Sequence, residues 1–287
     1  MNKKNVIQNL IAFSAAGMAV LFLESERELH SFRTVRYRLA LPGLGDKRLL
    51  FVTDYHEAVG GKLNPALLKA AKRIRPDAIL IGGDMVNGKS PNEDVRPATE
   101  LINGLADIAP VVHALGNHEC RFRSSESPDG YDWNGYMAGL DKRVVFVENE
   151  SVVLRLGDKP VRIYGLNVDK DFYVRKGKTL KKEDVDEYLG ERDTSMPSIL
   201  LAHDPSWFDA YTDWGAGLTL SGHYHGGVIR LPVIGGVINP KYHLFPKYDY
   251  GIYEKNGSSM LVGSGLGQHT IPVRWFNTPE LVVVDLI

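Results

Sequence analysis

Five short patches rich in histidine and carboxylate recur along the chain: Asp54-Tyr55-His56, Gly83-Asp84, Gly116-Asn117-His118-Glu119, Ala202-His203-Asp204 and Gly222-His223-Tyr224-His225. Their donors are hard oxygens and borderline imidazoles, which suit divalent ions such as Mn, Fe or Zn. No thiolate accompanies them, so the pattern points to catalytic rather than structural metal. Taken singly, Asp-x-His or Gly-Asp is more often a turn than a site. His223 and His225 are more specific, because alternate residues of an extended segment project to one side and can serve neighbouring ions. Two cations about 3.5–4 Å apart lower the pKa of a shared water and clamp phosphoryl oxygens, so a two-metal hydrolase is the leading reading. His30, His113, His243 and His269 fall outside the patches and are expected to be structural or superficial; His269, in a glycine-rich loop, is a candidate substrate contact.

Elements that position these residues are visible in the apolar pattern. Leu49–Val52, Ile79–Ile81, Val111–Leu115 and Ile199–Leu201 are strand-like runs ending at a patch, and open α/β sheets carry their sites at such carboxyl ends. Thr34–Leu39 alternates as a half-exposed strand. Asn64–Arg75 places Leu67, Leu68, Ala71 and Ile74 on one helical face, and a second helix is expected over Val95–Leu105. This strand-helix rhythm implies parallel pairing. Short strands over Val144–Val147, Val152–Leu156 and Val161–Tyr164 predict more antiparallel pairs on the other side. Asp169–Asp193 is polar and lysine-rich and reads as a solvated helical excursion, with a substrate-facing cap as the alternative. Asn256-Gly257 predicts a hairpin joining Tyr250–Tyr253 to Met260–Val262, and Leu281–Leu286 a closing strand.

A chain of 287 residues, 44% hydrophobic, can bury one substantial core. Its net charge of −1 gives no electrostatic footprint for nucleic acid. The lone Cys120 excludes an intramolecular disulfide framework and reads as a buried bystander. Val6–Leu23 is an apolar stretch behind Lys3 and Lys4, so residues 1–30 are expected to be an N-terminal membrane anchor and linker. Residues 31–287 then form the catalytic domain, on the extracytoplasmic face. A cleaved signal and a surface helix are the competing readings of that stretch.

From Arg48 onward, the series Asp-x-His, Gly-Asp, Gly-Asn-His-Glu, His and Gly-His-x-His resembles the signature of the calcineurin-like metallophosphoesterases. Four closing segments are similar to a bacterial membrane-associated branch of that family: Gly226–Pro232, Phe245–Tyr248, Gly263–Gly267 and Pro272–Asn277. The resemblance implies an α/β fold, a four-layer α-β-β-α sandwich of two mixed sheets with a dimetal site at the sheet edge. It implies that Asp54, His56 and His225 hold a first divalent ion, that Asn117, His203 and His223 hold a second, and that Asp84 bridges both, with a bridging hydroxide as nucleophile. His118, beside a ligand but not one itself, is placed to protonate the leaving oxygen. Asp204 and Glu119 are candidates for orienting an imidazole, and Arg121 and Arg123 for gripping an anionic group of the substrate. Gly263–Gly267 fits neither phosphate-loop pattern and reads as a tight turn.

The function expected is a metal-dependent phosphoesterase, a phosphodiesterase or pyrophosphatase acting on a phospholipid or lipid-linked phosphate at the membrane. Apolar residues between Val228 and Tyr250, among them Leu231, Pro232, Ile234, Val237, Leu244 and Phe245, can line the site for such a substrate or simply be buried. A membrane-tethered scaffold that keeps the fold without turnover is the alternative, and a metal hydrolase acting on a non-phosphate bond is a third reading.

Overall fold

The computed structural model describes residues 17–287 apart from 57, 89–92, 125–131, 175–176, 228, 232, 240 and 269–273. The first sheet contains β1 (Arg33–Leu39), β2 (Lys47–Val52), β3 (Ala78–Ile81), β4 (Val111–Ala114), β5 (Val144–Val147) and β14 (Glu280–Leu286), in the order β1-β14-β2-β3-β4-β5. The second contains β6 (Glu150–Leu156), β7 (Lys159–Leu166), β8 (Ser198–Ala202), β9 (Leu218–Ser221), β12 (Gly251–Lys255) and β13 (Ser258–Val262), in the order β12-β13-β9-β8-β7-β6. Both sheets are mixed. β14 runs antiparallel to β2 in the first, whereas the second has two antiparallel pairs, β12–β13 and β6–β7. A separate ribbon pairs β10 (Ile229–Leu231) with β11 (Gly235–Ile238).

Several strands read as unbroken apolar runs because both of their faces are covered. Leu49, Phe51, Leu80, Val112, Val282 and Val284 meet Val161, Ile163, Ile199, Leu201, Leu218, Leu220 and Leu261 between the sheets. The outward face of the first sheet, with Leu50, Val52, Ile79, Ile81 and Val283, packs on α2 (Asn64–Ile74) and α3 (Arg96–Ala106). On the other side Leu200, Ala202, Met260 and Val262 pack with Val185 of α7 (Lys182–Leu189) and with Phe208, Tyr211 and Trp214 of α8 (Phe208–Trp214). The result is the expected order helix, sheet, sheet, helix. Short helices α4 (Asn117–Arg123), α5 (Trp133–Gly139) and α6 (Lys170–Tyr173) occupy connections. In α2, Leu67, Ala71 and Ile74 recur at helical spacing on the buried face, and Arg75 ends the helix in a left-handed conformation (φ 54°). The segment read as a solvated excursion supplies α6 and α7, and both insert apolar side chains, Phe172 and Val185, into the outer core.

At the N-terminus the structure corrects the expectation of a membrane-anchored protein with an extracytoplasmic catalytic domain. Among the described residues no helix is long and apolar enough to cross a membrane. The expected anchor, Val6–Leu23, lies outside the described residues up to residue 16. Residues 17–29 are helical (α1), and this helix carries Glu24, Glu26, Arg27 and Glu28. Ser25 and Glu28 are buried and hydrogen-bonded to the backbone of Arg274 and Asn277. The carboxyl end of the stretch read as an anchor is thus tied to the domain by buried hydrogen bonds.

Phe51 is fully buried between the sheets beneath Gly82, where an added Cβ would fall 2.6 Å from the Phe51 ring. Phe51→Ala is expected to cost about 3–5 kcal/mol of unfolding free energy, read as a lower urea midpoint at unchanged slope. A cost below about 1 kcal/mol would mean that the layer is not packed as described.

Candidate metal centre

Parallel pairing of β2 with β3, β3 with β4, and β8 with β9 directs the carboxyl ends of these strands to one edge. Asp54 follows β2, Asp84 follows β3, Asn117 opens α4 after β4, His203 follows β8, and His223 and His225 follow β9. The chain turns sharply at that edge. Asp54 (φ 50°), His56 (φ 43°), Asp84 (φ 55°), His223 (φ 65°) and His225 (φ 50°) all adopt left-handed backbone, which costs an L-residue roughly 1–2 kcal/mol. Close approach of neighbouring loops accounts for the glycine ahead of Asn117, since a Cβ on Gly116 would fall 2.2 Å from Asp84 Oδ1. Glu119, fully buried, joins the same two loops by accepting from the backbone N–H groups of Gly116 (2.9 Å), Asp84 (2.7 Å) and Met85 (2.5 Å). Its task is therefore to hold backbone, not to orient an imidazole as expected.

Donor atoms of Asp54, His56 and His225 all lie within 4.8 Å of one another, as do those of Asp84, His203 and His223 and those of His56, Asp84 and His118. Asp84 Oδ2 sits 3.0 Å from His203 Nε2, 3.7 Å from His56 Nε2 and 3.9 Å from His118 Nε2. Asp54 Oδ1 is 3.3 Å from His225 Nε2 and 3.8 Å from His203 Nε2, so the two carboxylates share the central imidazole. Asn117 Oδ1 and both ring nitrogens of His223 are buried with no hydrogen-bond partner among the described residues. Buried polar atoms left unpaired are costly, and a cation in reach of Asn117 Oδ1 and a His223 nitrogen would satisfy them. The donor set, oxygens with imidazoles and no sulfur, fits divalent Mn, Fe or Zn.

Electrostatics reinforce that fit. Burial raises the Asp54 pKa to about 6, with His203 opposing and Asp84 adding to the rise. Burial acts in the same direction on Asp84, yet the imidazoles of His203, His118 and His56 outweigh it and hold this carboxyl well below the usual range. Burial would strip His203 of its proton, but Asp84 and Asp54 raise its pKa to about 10. His223, by contrast, is depressed to about 3 by burial and offers a neutral ring. A cation held by His203 and its neighbouring carboxylates would take over the charge balance that His203 otherwise supplies, because a ligating imidazole must be neutral. His118 Nδ1 bonds to the Asn87 carbonyl, which leaves Nε2 facing the carboxylates; burial lowers its pKa and Asp84 opposes that shift.

The remaining sequence candidates separate. Arg121 lines a cavity of about 380 Å³ together with Asn117, Cys120, Tyr173, His223 and Lys241. Arg123 instead forms an ion pair with Glu148 and stacks over Trp133. His269 lies outside the described residues. Asp204, expected to orient an imidazole, has Oδ2 3.7 Å from His223 Nε2, beyond hydrogen-bond distance, and pairs at 2.6 Å with Lys241 Nζ. Sequence reasoning missed Lys241, which lies on no periodic or motif-bearing run. The Gly263–Gly267 segment is not a phosphate cradle: it wraps the Asp54 loop, Gly267 N–H donating to Asp54 O at 2.6 Å. A Cβ on Gly267 would fall 2.0 Å from the Tyr55 carbonyl oxygen.

Residues 47–227 match the family profile of the calcineurin-like phosphoesterases. The chain belongs to that family. Among calcineurin-like relatives, the uncharacterized metallophosphoesterase YkuE of Bacillus subtilis is 36% identical over 219 residues, covering 74% of this chain and 68% of YkuE. Phosphodiesterase YaeI of Escherichia coli is 24% identical over 268 residues, covering 89% of this chain and 88% of YaeI. An uncharacterized metallophosphoesterase of Helicobacter pylori (strain J99) is 27% identical over 248 residues, covering 84% of this chain and 60% of that protein. The chain thus spans 60% of the length of this longer relative.

Cys120, at the cavity wall, donates to Asn167 Oδ1 at 2.9 Å, and burial, with Glu119 adding, pushes its thiol up to about 12. The thiolate is the reactive form, so at pH 8 the folded protein should react with a disulfide reagent roughly a thousandfold more slowly than the urea-unfolded chain. Rapid labelling of the folded protein would contradict the raised thiol pKa.

Proposed function

We propose that this chain is a metal-dependent phosphoester hydrolase that holds two divalent ions, with Asp54, His56 and His225 on one, Asn117, His203 and His223 on the other, and Asp84 between them. The observation that carries this reading is the convergence at one sheet edge of two buried carboxylates, the imidazoles and an Asn117 oxygen with no hydrogen-bond partner among the described residues. Two ions bound there supply positive charge to the phosphoryl oxygens and acidify a water within reach of both. The chain's own groups do the rest. The cavity beside Asn117 and His223 receives the phosphoester, and Arg121, Lys170 and Lys241 make its wall cationic. With Nδ1–H held by the Asn87 carbonyl, His118 presents Nε2; in its cationic form, which Asp84 favours, the ring carries a second proton there that passes to the departing oxygen and leaves the neutral imidazole.

The finer reading is a phosphodiester or pyrophosphate rather than a monoester, and the name of the relative YaeI supports the first of these. A substrate whose alcohol is apolar or lipid-linked is favoured by one feature. Val233, Ile234, Leu244 and Phe245, on the ribbon and loop that follow the His225 turn, are exposed, as is Phe276 in the connection between β13 and β14.

The test uses the full chain stripped of metal and reloaded with Mn²⁺. Bis-p-nitrophenyl phosphate should be hydrolysed faster than the monoester, and Asp84→Asn should abolish turnover. His118→Ala should lose about 10²- to 10⁴-fold on a diester with a poor leaving group and far less on the nitrophenyl ester, as expected for a proton donor. Preference for the monoester would remove the diesterase reading. An equal His118→Ala loss on both diesters would remove the proton-donor role, and inert protein with two bound ions would favour a scaffold. Faster turnover of a short-chain lipid phosphodiester than of its headgroup-matched soluble analogue would support the apolar substrate, and no difference would sink it.

A further inference from the structure

Helix α1, expected to be part of an anchor and linker, is bonded to the segment that closes over the His225 turn. Leu21 O accepts from Trp275 Nε1 (3.1 Å), and Ser25 Oγ accepts from Arg274 N–H (3.1 Å). The Glu28 carboxylate accepts from Asn277 N–H with both oxygens (3.1 and 3.0 Å) and from Thr278 Oγ1 (3.2 Å), and it lies 3.7 Å from Arg27. Ser25, Glu28, Arg274 and Asn277 are all at most 5% exposed, so these bonds are made away from water. From the other side Arg274 donates to the carbonyls of Asn277 (3.0 Å), Ser264 (2.9 Å) and Gly267 (3.1 Å). The Asn277 backbone is thereby held at its N–H by Glu28 and at its carbonyl by Arg274.

The Asn277 side chain reaches the metal centre. Its Nδ2 donates to the carbonyls of both His225 and Gly227. Those carbonyls belong to a turn in which His223 (φ 65°), His225 (φ 50°), Gly226 (φ 69°) and Gly227 (φ 93°) are all left-handed. Left-handed non-glycine residues persist only where the surroundings over-determine them, and the carboxamide bridging two carbonyls is such a determinant. We propose that α1 is a brace of the metal centre: Glu28 fixes Asn277, and the Asn277 carboxamide fixes the left-handed turn that aims the His225 imidazole. Glu28 and Asn277 are positioning residues, since neither side chain faces the carboxylates themselves. The consequence for metal binding rests on the ligand assignment proposed above, whereas the aim of the imidazole does not.

The experiment uses the full chain labelled with ¹⁵N-histidine. Before metal is added, Glu28→Ala and Asn277→Ala should each move the His225 imidazole signals and leave those of His203 in place. On Mn²⁺ titration, one of the two ions should bind roughly 10- to 100-fold more weakly while the other is little changed. Glu28→Gln, which keeps an acceptor oxygen, should recover most of the affinity. Asn277→Asp keeps the shape and removes the donor, and it tests the same link if Glu28→Ala does not fold. The brace is overturned if the His225 signals stay in place in folded variants. It is overturned equally if both ions weaken together in step with thermal stability and Glu28→Gln restores nothing. A wild-type chain that binds no Mn²⁺ would remove the ligand assignment, and the imidazole signals alone would then decide for or against the brace.

Discussion

Two fully buried carboxylates, Asp54 and Asp84, share one imidazole, His203, and the rest of the structure is arranged around that concentration of charge. Burying an ion pair costs several kcal/mol per ion before any Coulombic return, so such a cluster is weak evidence of stability and strong evidence of use. Within the chain, a proton on His203 offsets part of the negative charge. Divalent cations would offset it more fully and would also satisfy Asn117 Oδ1 and a His223 ring nitrogen, which have no hydrogen-bond partner among the described residues.

The fold meets this requirement by bringing strand ends together and tightening the loops beyond them. Parallel β2, β3 and β4 in one sheet and β8 and β9 in the other deliver the donors to a common edge. Left-handed turns at the donors then allow adjacent loops to touch, at a cost of order 1 kcal/mol per residue that the surrounding bonds must exceed. Those bonds come from three directions. Glu119 ties the loop after β3 to that after β4, the Gly263–Gly267 segment wraps Asp54, and Asn277 bridges the carbonyls flanking Gly226. Each of the three limits how far a donor can drift.

How much of this was legible in the sequence depends on the range of the interactions. The donor patches could be read because metal chemistry restricts residue type and sheet edges restrict position. The Asn256-Gly257 hairpin could be read because both residues take positive φ (50° and 78°), which that pair tolerates. Arg121 and Arg123 are the same residue type two positions apart, and only the distant Glu148 and Trp133 divert the second from the cavity. Lys241 acquires its partner through a contact that no local pattern encodes, and Glu119 adds to its local capping bond with Gly116 the distant N–H groups of Asp84 and Met85. The N-terminal segment was misjudged for the same reason. Hydropathy registers Val20–Leu23 but not that Ser25 and Glu28 find buried partners at Arg274 and Asn277, at the far end of the chain.

Donors for two ions, and not for one, meet at this edge. Anomalous scattering from Mn²⁺-loaded crystals tests it most directly. Two peaks about 3.5–4 Å apart are expected, one among Asp54, His56 and His225 and one among Asn117, His203 and His223, with Asp84 between them. A single peak, or manganese bound away from Asp84, would contradict it.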